Sequence, residues 1–493
     1  MDAAKPSPAS WTAPQDASAL RSAERWLTSD AQRRLEQRFA AALRRARSAG
    51  TSIIVSSTTT LPGGVDPSQV VVASRRPGEH WFCLEEPDRD HWALAALGCT
   101  RALETTGAAR FTELARRWRS LVSAAHDDGT DGPPGSGLVA LGGFAFAPDG
   151  GTSVAWDGFA PASMVVPEVS LARSGERAAL TLNLAVAPDD TVEQLLDRAV
   201  QRVTELREPP LPLVDPSPAG TFRVHSPMPP SHYEEAVARA VQRIRDGELE
   251  KVALAREVDV HAPQDHDPGA TFGLLREEFR SCYVFAVGRG DATFIAASPE
   301  LLLRRQGQRA TTVALAGSIG RSADPSVDDH LGERLMRSDK DREEHAIVAR
   351  RIALALRRHA VWVAAAPEPI LVRVANIQHL ATPIRAQLAS AVTALELAGA
   401  LHPTPAVGGE PLEEATEMIP ALEGIDRGWY AGTVGWTDAS GDGEFCVALR
   451  CALLRGPLAR LYAGCGIVRD SDPTAELAET EVKLGALLPA LAG

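Results

Sequence analysis

Residues 232–260, HYEEAVARAVQRIRDGELEKVALAREVDV, change their period halfway. In the first part Ala236, Val237, Ala240, Val241 and Ile244 recur at helical spacing, and the pattern stops near Gly247, as a helix closing on glycine does. From Lys251 the period becomes two. Val252, Leu254, Val258 and Val260 share one face, and Lys251, Ala253 and Ala255 share the other. A long basic side chain above two alanines leaves space for a ligand or for a packed neighbour. The same pattern recurs in EFCVALRCALL (444–454), read as one strand with Arg450 on the face of Cys446, Ala448 and Ala452. Helices and strands follow one another along the chain without regular βαβ alternation, which points to an α+β fold.

Outward from this segment, residues 207–231 hold eight prolines in 25 positions and cannot be a helix, so they divide the chain. The expected organisation is a flexible N-terminus (1–25), an N-terminal β-rich lobe (26–225) and a C-terminal catalytic domain (226–493). The lobe opens with an amphipathic helix near Leu35 to Ala49, followed by the β-rich run TSIIVSSTTT. Later in the lobe, LVALGGFAFAPDG reads as a strand broken by paired glycines. After the linker, Glu300 follows Ser298-Pro299 in an expected hairpin.

The chain has 493 residues, enough for a large core, and a net charge of −13 that weighs against a nucleic-acid partner. No apolar run long enough to span a membrane and no signal-peptide pattern occurs, so the expected location is cytoplasmic. Six cysteines without a C-x-x-C pair are expected to be free thiols. Only four of the 51 basic residues are lysine: Lys5, Lys251, Lys340 and Lys483. Lysine can lose its proton when it is buried or crowded by cations, whereas guanidinium stays charged, so these positions are candidates for tasks that arginine cannot perform.

Two acidic pairs have helical spacing. Asp341 and Glu344 project from one face of RLMRSDKDREEHAIVARRIALAL, and Glu476, Glu479 and Lys483 do so in TAELAETEVKLGALL. If the faces converge, four carboxylates meet. A hard divalent cation, magnesium above all, neutralises such a cluster and keeps positions open for a substrate's oxygens.

Ten segments carry a family resemblance in their order: KVALAR, SPELLLR, ALAGSIGR, SDKDREEH, HLATPIRA, LHPTPAVGG, DRGWYAGTVGW, VALRCALL, AGCGIV and AELAETEVKL. Together they resemble the chorismate-utilising enzymes of menaquinone, siderophore and tryptophan biosynthesis, and among these the isochorismate synthases. The resemblance covers roughly residues 232–493. It implies large antiparallel β-sheets in a sandwich with outer helices, like the first component of anthranilate synthase. It also implies a magnesium-dependent isomerase that adds water at carbon 2 of chorismate and loses the hydroxyl at carbon 4. Carried over by motif, Lys251 is the general base and Glu300 the general acid. Glu344 and Glu479 match metal ligands, with Glu476 and Asp341 as companions. Substrate contacts fall to Gly317, His379, Ala406, Tyr430, Arg450, Gly464, Gly466 and Lys483. A base lysine at Lys251 favours water over ammonia as the nucleophile, and no amidotransferase subunit is expected. Salicylate synthase, which goes on to eliminate pyruvate, is the rival reading, and a non-catalytic chorismate-binding protein is a third. Ala381 and Ala406 look like those of the synthases that stop at isochorismate. The resemblance also implies a monomer or weak dimer.

Overall fold

Two large antiparallel sheets, one of 12 strands and one of 10, make up the body of the protein. The computed structural model describes residues 24–129, 131–215, 218–374 and 376–492. The expected flexible N-terminus therefore lies almost wholly outside the described residues. Both sheets draw strands from either side of the proline-rich segment. In the larger, Gly78–Glu86 pairs with Tyr283–Gly290; in the smaller, Val139–Phe144 pairs with Thr433–Asp438. Phe285 and Phe294 from the larger sheet and Phe144 and Phe445 from the smaller share one buried cluster with Trp429, so the main core lies between the sheets. The fold is α+β, as the residue pattern indicated.

The period change at 232–260 appears as a helix, Pro230–Arg245, followed by the strand Lys251–His261. The helix buries Ala236, Val237, Ala240, Val241 and Ile244, the residues that set its spacing. The first long helix runs from Ser29 to Ala49, starting earlier than its apolar pattern because the Thr28 hydroxyl accepts from the Ala31 amide. All six cysteines are free. Among the described residues, no helix is long and apolar enough to cross a membrane.

Three local expectations are corrected. Val139–Phe144 runs unbroken through Gly142 and Gly143, whose missing side chains let Ser163 and Trp429 approach closely. EFCVALRCALL is two strands: Gly443–Val447 belongs to the smaller sheet and Cys451–Arg455 to the larger. Between them Arg450 takes a left-handed backbone (φ 48°), so the alternation that placed it with Ala448 and Ala452 is interrupted. Likewise, Ala292–Ser298 lies in the larger sheet and Leu301–Gln306 in the smaller, so Pro299 and Glu300 form a crossing between sheets and not a hairpin turn.

Candidate active site

The two crossings are bonded to each other. The Val447 amide donates to the Glu300 carbonyl (3.0 Å), the Ala297 amide to the Arg450 carbonyl (3.1 Å), and the Ser298 hydroxyl to the Val447 carbonyl (2.5 Å). Glu300 and Arg450, 150 positions apart in the chain, are thereby fixed at the same opening between the sheets. A cleft lies there, lined by both residues together with Gly317, Glu344, His379, Ala406, Tyr430, Gly464, Gly466, Glu479 and Lys483. Of the candidate site residues, Lys251, Asp341 and Glu476 are not among those lining it.

Glu300 is 4% exposed. Burial pushes its carboxyl up to about 8, against the opposing pull of Lys251, Arg450 and Lys483. At neutral pH it therefore keeps its proton, as a general acid must.

Arg450 donates to His379 Nε2 at 2.6 Å. With Nε2 accepting, the ring proton resides on Nδ1, which faces the Gly317 carbonyl at 3.3 Å. Burial, then Arg450 and Lys483, hold the imidazole well below its ordinary range, in keeping with a neutral ring. Arg450 Nη1 is buried without a partner, and no carboxylate pairs with this guanidinium among the described residues. It is a ready counter-charge for an anionic ligand.

The helices Asp339–Arg357 and Pro473–Leu484 bring the two acidic faces to one side of the cleft, and each of three carboxylates there holds a lysine. Lys251 Nζ lies 2.8 Å from Glu344, Lys340 Nζ 2.7 Å from Glu476, and Lys483 Nζ 2.8 Å from Glu479. Thus every lysine among the described residues is committed to this cluster. Lys251 is fully buried. Although burial acts against the charge, the Glu479 carboxylate 2.8 Å away keeps Lys483 more firmly protonated than an ordinary lysine. Burial raises the pKa of Glu479, but Lys483 and the Ser318 hydroxyl (2.6 Å) outweigh it and favour the ionised form. Burial and the neighbouring Glu479 push Glu476 the other way, while burial is also the main cause of the rise at Asp341.

Glu476 and Glu479 each bring an oxygen within 4.8 Å of the other and of Cys465 Sγ. Burial keeps the Cys465 thiol protonated, so the anionic donors here are carboxylate oxygens, the chemistry of magnesium or calcium rather than zinc. Glu344 and Glu479 both line the cleft, and the Glu476–Glu479 oxygen pair fits a hard divalent cation.

Two glycines make the geometry possible. Gly317 sits at a register irregularity in the strand Arg309–Gly320 with φ 71°, a conformation that side chains resist, and its carbonyl thereby meets His379. At Gly466 a Cβ would lie 2.1 Å from Glu344 Oε1 and 2.9 Å from Lys251 Nζ. A side chain there would push the ends of that ion pair aside.

Sequence reasoning had not singled out three contributors. Ser318, adjacent to the bulged Gly317, holds Glu479. The buried Arg427 pairs with Glu423 (2.9 Å from Nε) and donates to the carbonyls of Ala253 and Val407, both 2.8 Å away, tying the Ala406 loop to the Lys251 strand. Its signal was present in DRGWYAG, where an arginine directly precedes the cleft segment. Tyr462 stacks on Tyr430 with ring centroids 5.0 Å apart, a cross-strand placement that local periodicity does not reveal.

The chain as a whole is similar to known proteins. Residues 41–492 match the family described as chorismate binding enzyme, and the protein belongs to that family. It is similar to the salicylate biosynthesis isochorismate synthase of Pseudomonas aeruginosa, with 38% identity over 430 residues, 87% of this chain and 88% of the relative. The isochorismate synthase MenF of Bacillus subtilis is 31% identical over 94% of this chain and 98% of its own. Among solved structures, the menaquinone-specific isochorismate synthase MenF from Escherichia coli matches with a TM-score of 0.74 at 27% identity, covering 92% of this chain and 100% of that one. Anthranilate synthase component I from Streptococcus pneumoniae matches with a TM-score of 0.64 at 20% identity, over 80% and 92% of the two chains, a likeness of fold.

Proposed function

We propose that this protein is an isochorismate synthase, an isomerase that converts chorismate to isochorismate with magnesium bound at Glu344 and Glu479. The observation that carries the reading is a buried carboxyl, Glu300, that keeps its proton near neutrality on the wall of a cleft backed by a fully buried lysine, Lys251. An acid and a potential base at one cleft are what exchange of a hydroxyl for water requires. The relatives named as isochorismate synthases support the choice within the family.

In this mechanism Lys251, freed from Glu344 and having given its ammonium proton to solvent, takes a proton from the water that attacks carbon 2. Glu300 delivers its proton to the hydroxyl leaving carbon 4. Arg450, with Nη1 unpartnered and Nη2 on a neutral His379, holds one substrate carboxylate. Gly464 allows the ligand close to the strand backbone, and Lys483 adds a fixed positive charge beside it. Magnesium supplies charge neutralisation of the acidic cluster and Lewis-acid polarisation of a substrate carboxylate. The enzyme acts in the cytoplasm without an amidotransferase partner.

The test is product identity after incubation of the purified protein with chorismate and magnesium. Isochorismate is the expected product; salicylate with pyruvate selects salicylate synthase, and unchanged chorismate overturns the catalytic reading.

A further inference from the structure

A buried guanidinium cannot discard its proton, so it needs a counter-charge or enough carbonyls to absorb its donors. Among the described residues, four of the seven buried arginines, Arg202, Arg256, Arg305 and Arg427, pair with carboxylates. Arg450 faces the substrate cleft. Arg110 donates to the carbonyls of Ala145 and Phe146 and lies over the Phe111 ring. Arg289 has neither arrangement. It is 4% exposed, its Nη1 meets only the carbonyl of its own neighbour Gly288, and its Nε has no partner. Glu104 and Cys99 act on it from outside ion-pair range.

The backbone aims this side chain. The register between Tyr283–Gly290 and Gly78–Glu86 shifts between Gly288 and Gly290, leaving Arg289 unpaired on that side, and such a bulge redirects the side chain it carries. Arg289 borders a separate small pocket, lined also by His80, Trp81, Gly98 and Pro167. His80 Nδ1 is buried there without a partner. Burial, reinforced by Arg289, holds the imidazole down to about 4, so the ring is neutral and has one N–H to give. The space open to the centre of a water-sized particle is about 10 Å³, room for one small species. A water would meet the donors and leave the charge uncompensated; an anion does both.

The geometry points to a second ligand site, for one small monovalent anion of chloride size held between the Arg289 guanidinium and His80, outside the chorismate cleft. The anion neutralises the buried cation at the junction of Gly78–Glu86 with Tyr283–Gly290 and so stabilises the fold. It takes no part in turnover.

Bromide serves as the probe. Melting curves in potassium bromide and in potassium gluconate at equal ionic strength should show a saturable rise with bromide alone, and that rise should vanish in Arg289→Gln. Diffraction at the bromine edge from bromide-soaked crystals of the unmodified protein should place an anomalous peak on Arg289 and His80. A water in place of that peak, or a bromide response unchanged in Arg289→Gln, overturns the proposal. If the variant does not fold, diffraction from the unmodified protein decides.

Discussion

Lys251 Nζ and Glu344 Oε1 lie 2.8 Å apart, the lysine fully buried and the carboxylate at the edge of the cleft. The pair joins the first strand after the proline-rich segment to the helix Asp339–Arg357, 93 positions away in sequence. An ammonium is not a base, so in the proposed mechanism Lys251 has to leave this pair and give its proton to solvent before it can accept one. Lys251→Ala removes the proton acceptor but leaves Arg450 and His379 in place. Turnover should fall by about 10²–10⁴-fold, the range typical of a lost acid–base group, while chorismate binding persists. Steady-state kinetics with binding calorimetry check this; an unchanged kcat would remove Lys251 from the mechanism.

In the proposed mechanism Glu300 sets the alkaline limit. The group that works is the protonated carboxyl, so activity should hold through neutrality and fall about tenfold per pH unit above about 8. The linkage to stability has a definite sign. Its pKa in the folded state, about 8, exceeds the ordinary carboxyl value of 4.5, so the folded protein binds this proton more tightly than the unfolded chain. The contribution is fully present below pH 4.5 and is lost as pH rises through 8. Glu300→Gln, which cannot ionise, should therefore melt at a higher temperature than the parent above pH 8, and the gap should close towards pH 4. It should also lose the alkaline limb of the rate profile along with most of the rate. A parent whose activity does not fall between pH 8 and 10 would contradict the assignment.

Much of this was legible because the deciding signals are local. The shift from helical to alternating period at 247–251 fixed the helix Pro230–Arg245 and the strand Lys251–His261. The i, i+3 spacing fixed which carboxylates share a face, and of the four lysines that scarcity singled out, the three among the described residues join the acidic cluster. What stayed hidden depends on partners distant in the chain. Alternation continues through VALRCALL, so nothing local marks the point where Arg450 turns left-handed and the chain changes sheets. The same holds at Glu300, where Ser-Pro suits a turn within one sheet as well as a passage to another. The bulge that turns Arg289 inward exists only relative to its neighbouring strand.

Gly466 tests whether the ion pair, and not merely its residues, matters. A methyl group there would overlap Glu344 Oε1 and press on Lys251 Cε at 2.7 Å, both in the buried wall of the cleft. Gly466→Ala should cost about 1–3 kcal/mol of stability, as overpacking of a tight interior does, yet leave a folded protein. Its kcat should fall by about 10²-fold or more, since small misplacements of reacting groups carry losses of that size. Denaturant melts with kinetics would show it. Full activity in a folded Gly466→Ala would mean that the Lys251–Glu344 contact is not maintained in the working enzyme.

The lysine–carboxylate pairs bear directly on the metal. Glu344, Glu476 and Glu479 each hold one lysine, so positive charge is already distributed through the cluster. Three ammonium groups neutralise three carboxylates, but an ammonium cannot gather several carboxylates and a substrate oxygen around one centre, as a hard divalent cation can. Chelation with EDTA should therefore abolish turnover, and magnesium should restore it. Binding should also register without substrate: ligands that bind only the folded state raise the melting temperature as their concentration rises, and magnesium should do so for the parent. Glu479→Gln, which keeps the shape but removes one anionic ligand from the cleft wall, should blunt that rise. A chelated protein that turns over chorismate at its full rate, and whose melting temperature ignores magnesium, would show that the three lysines meet the electrostatic needs of the cluster by themselves.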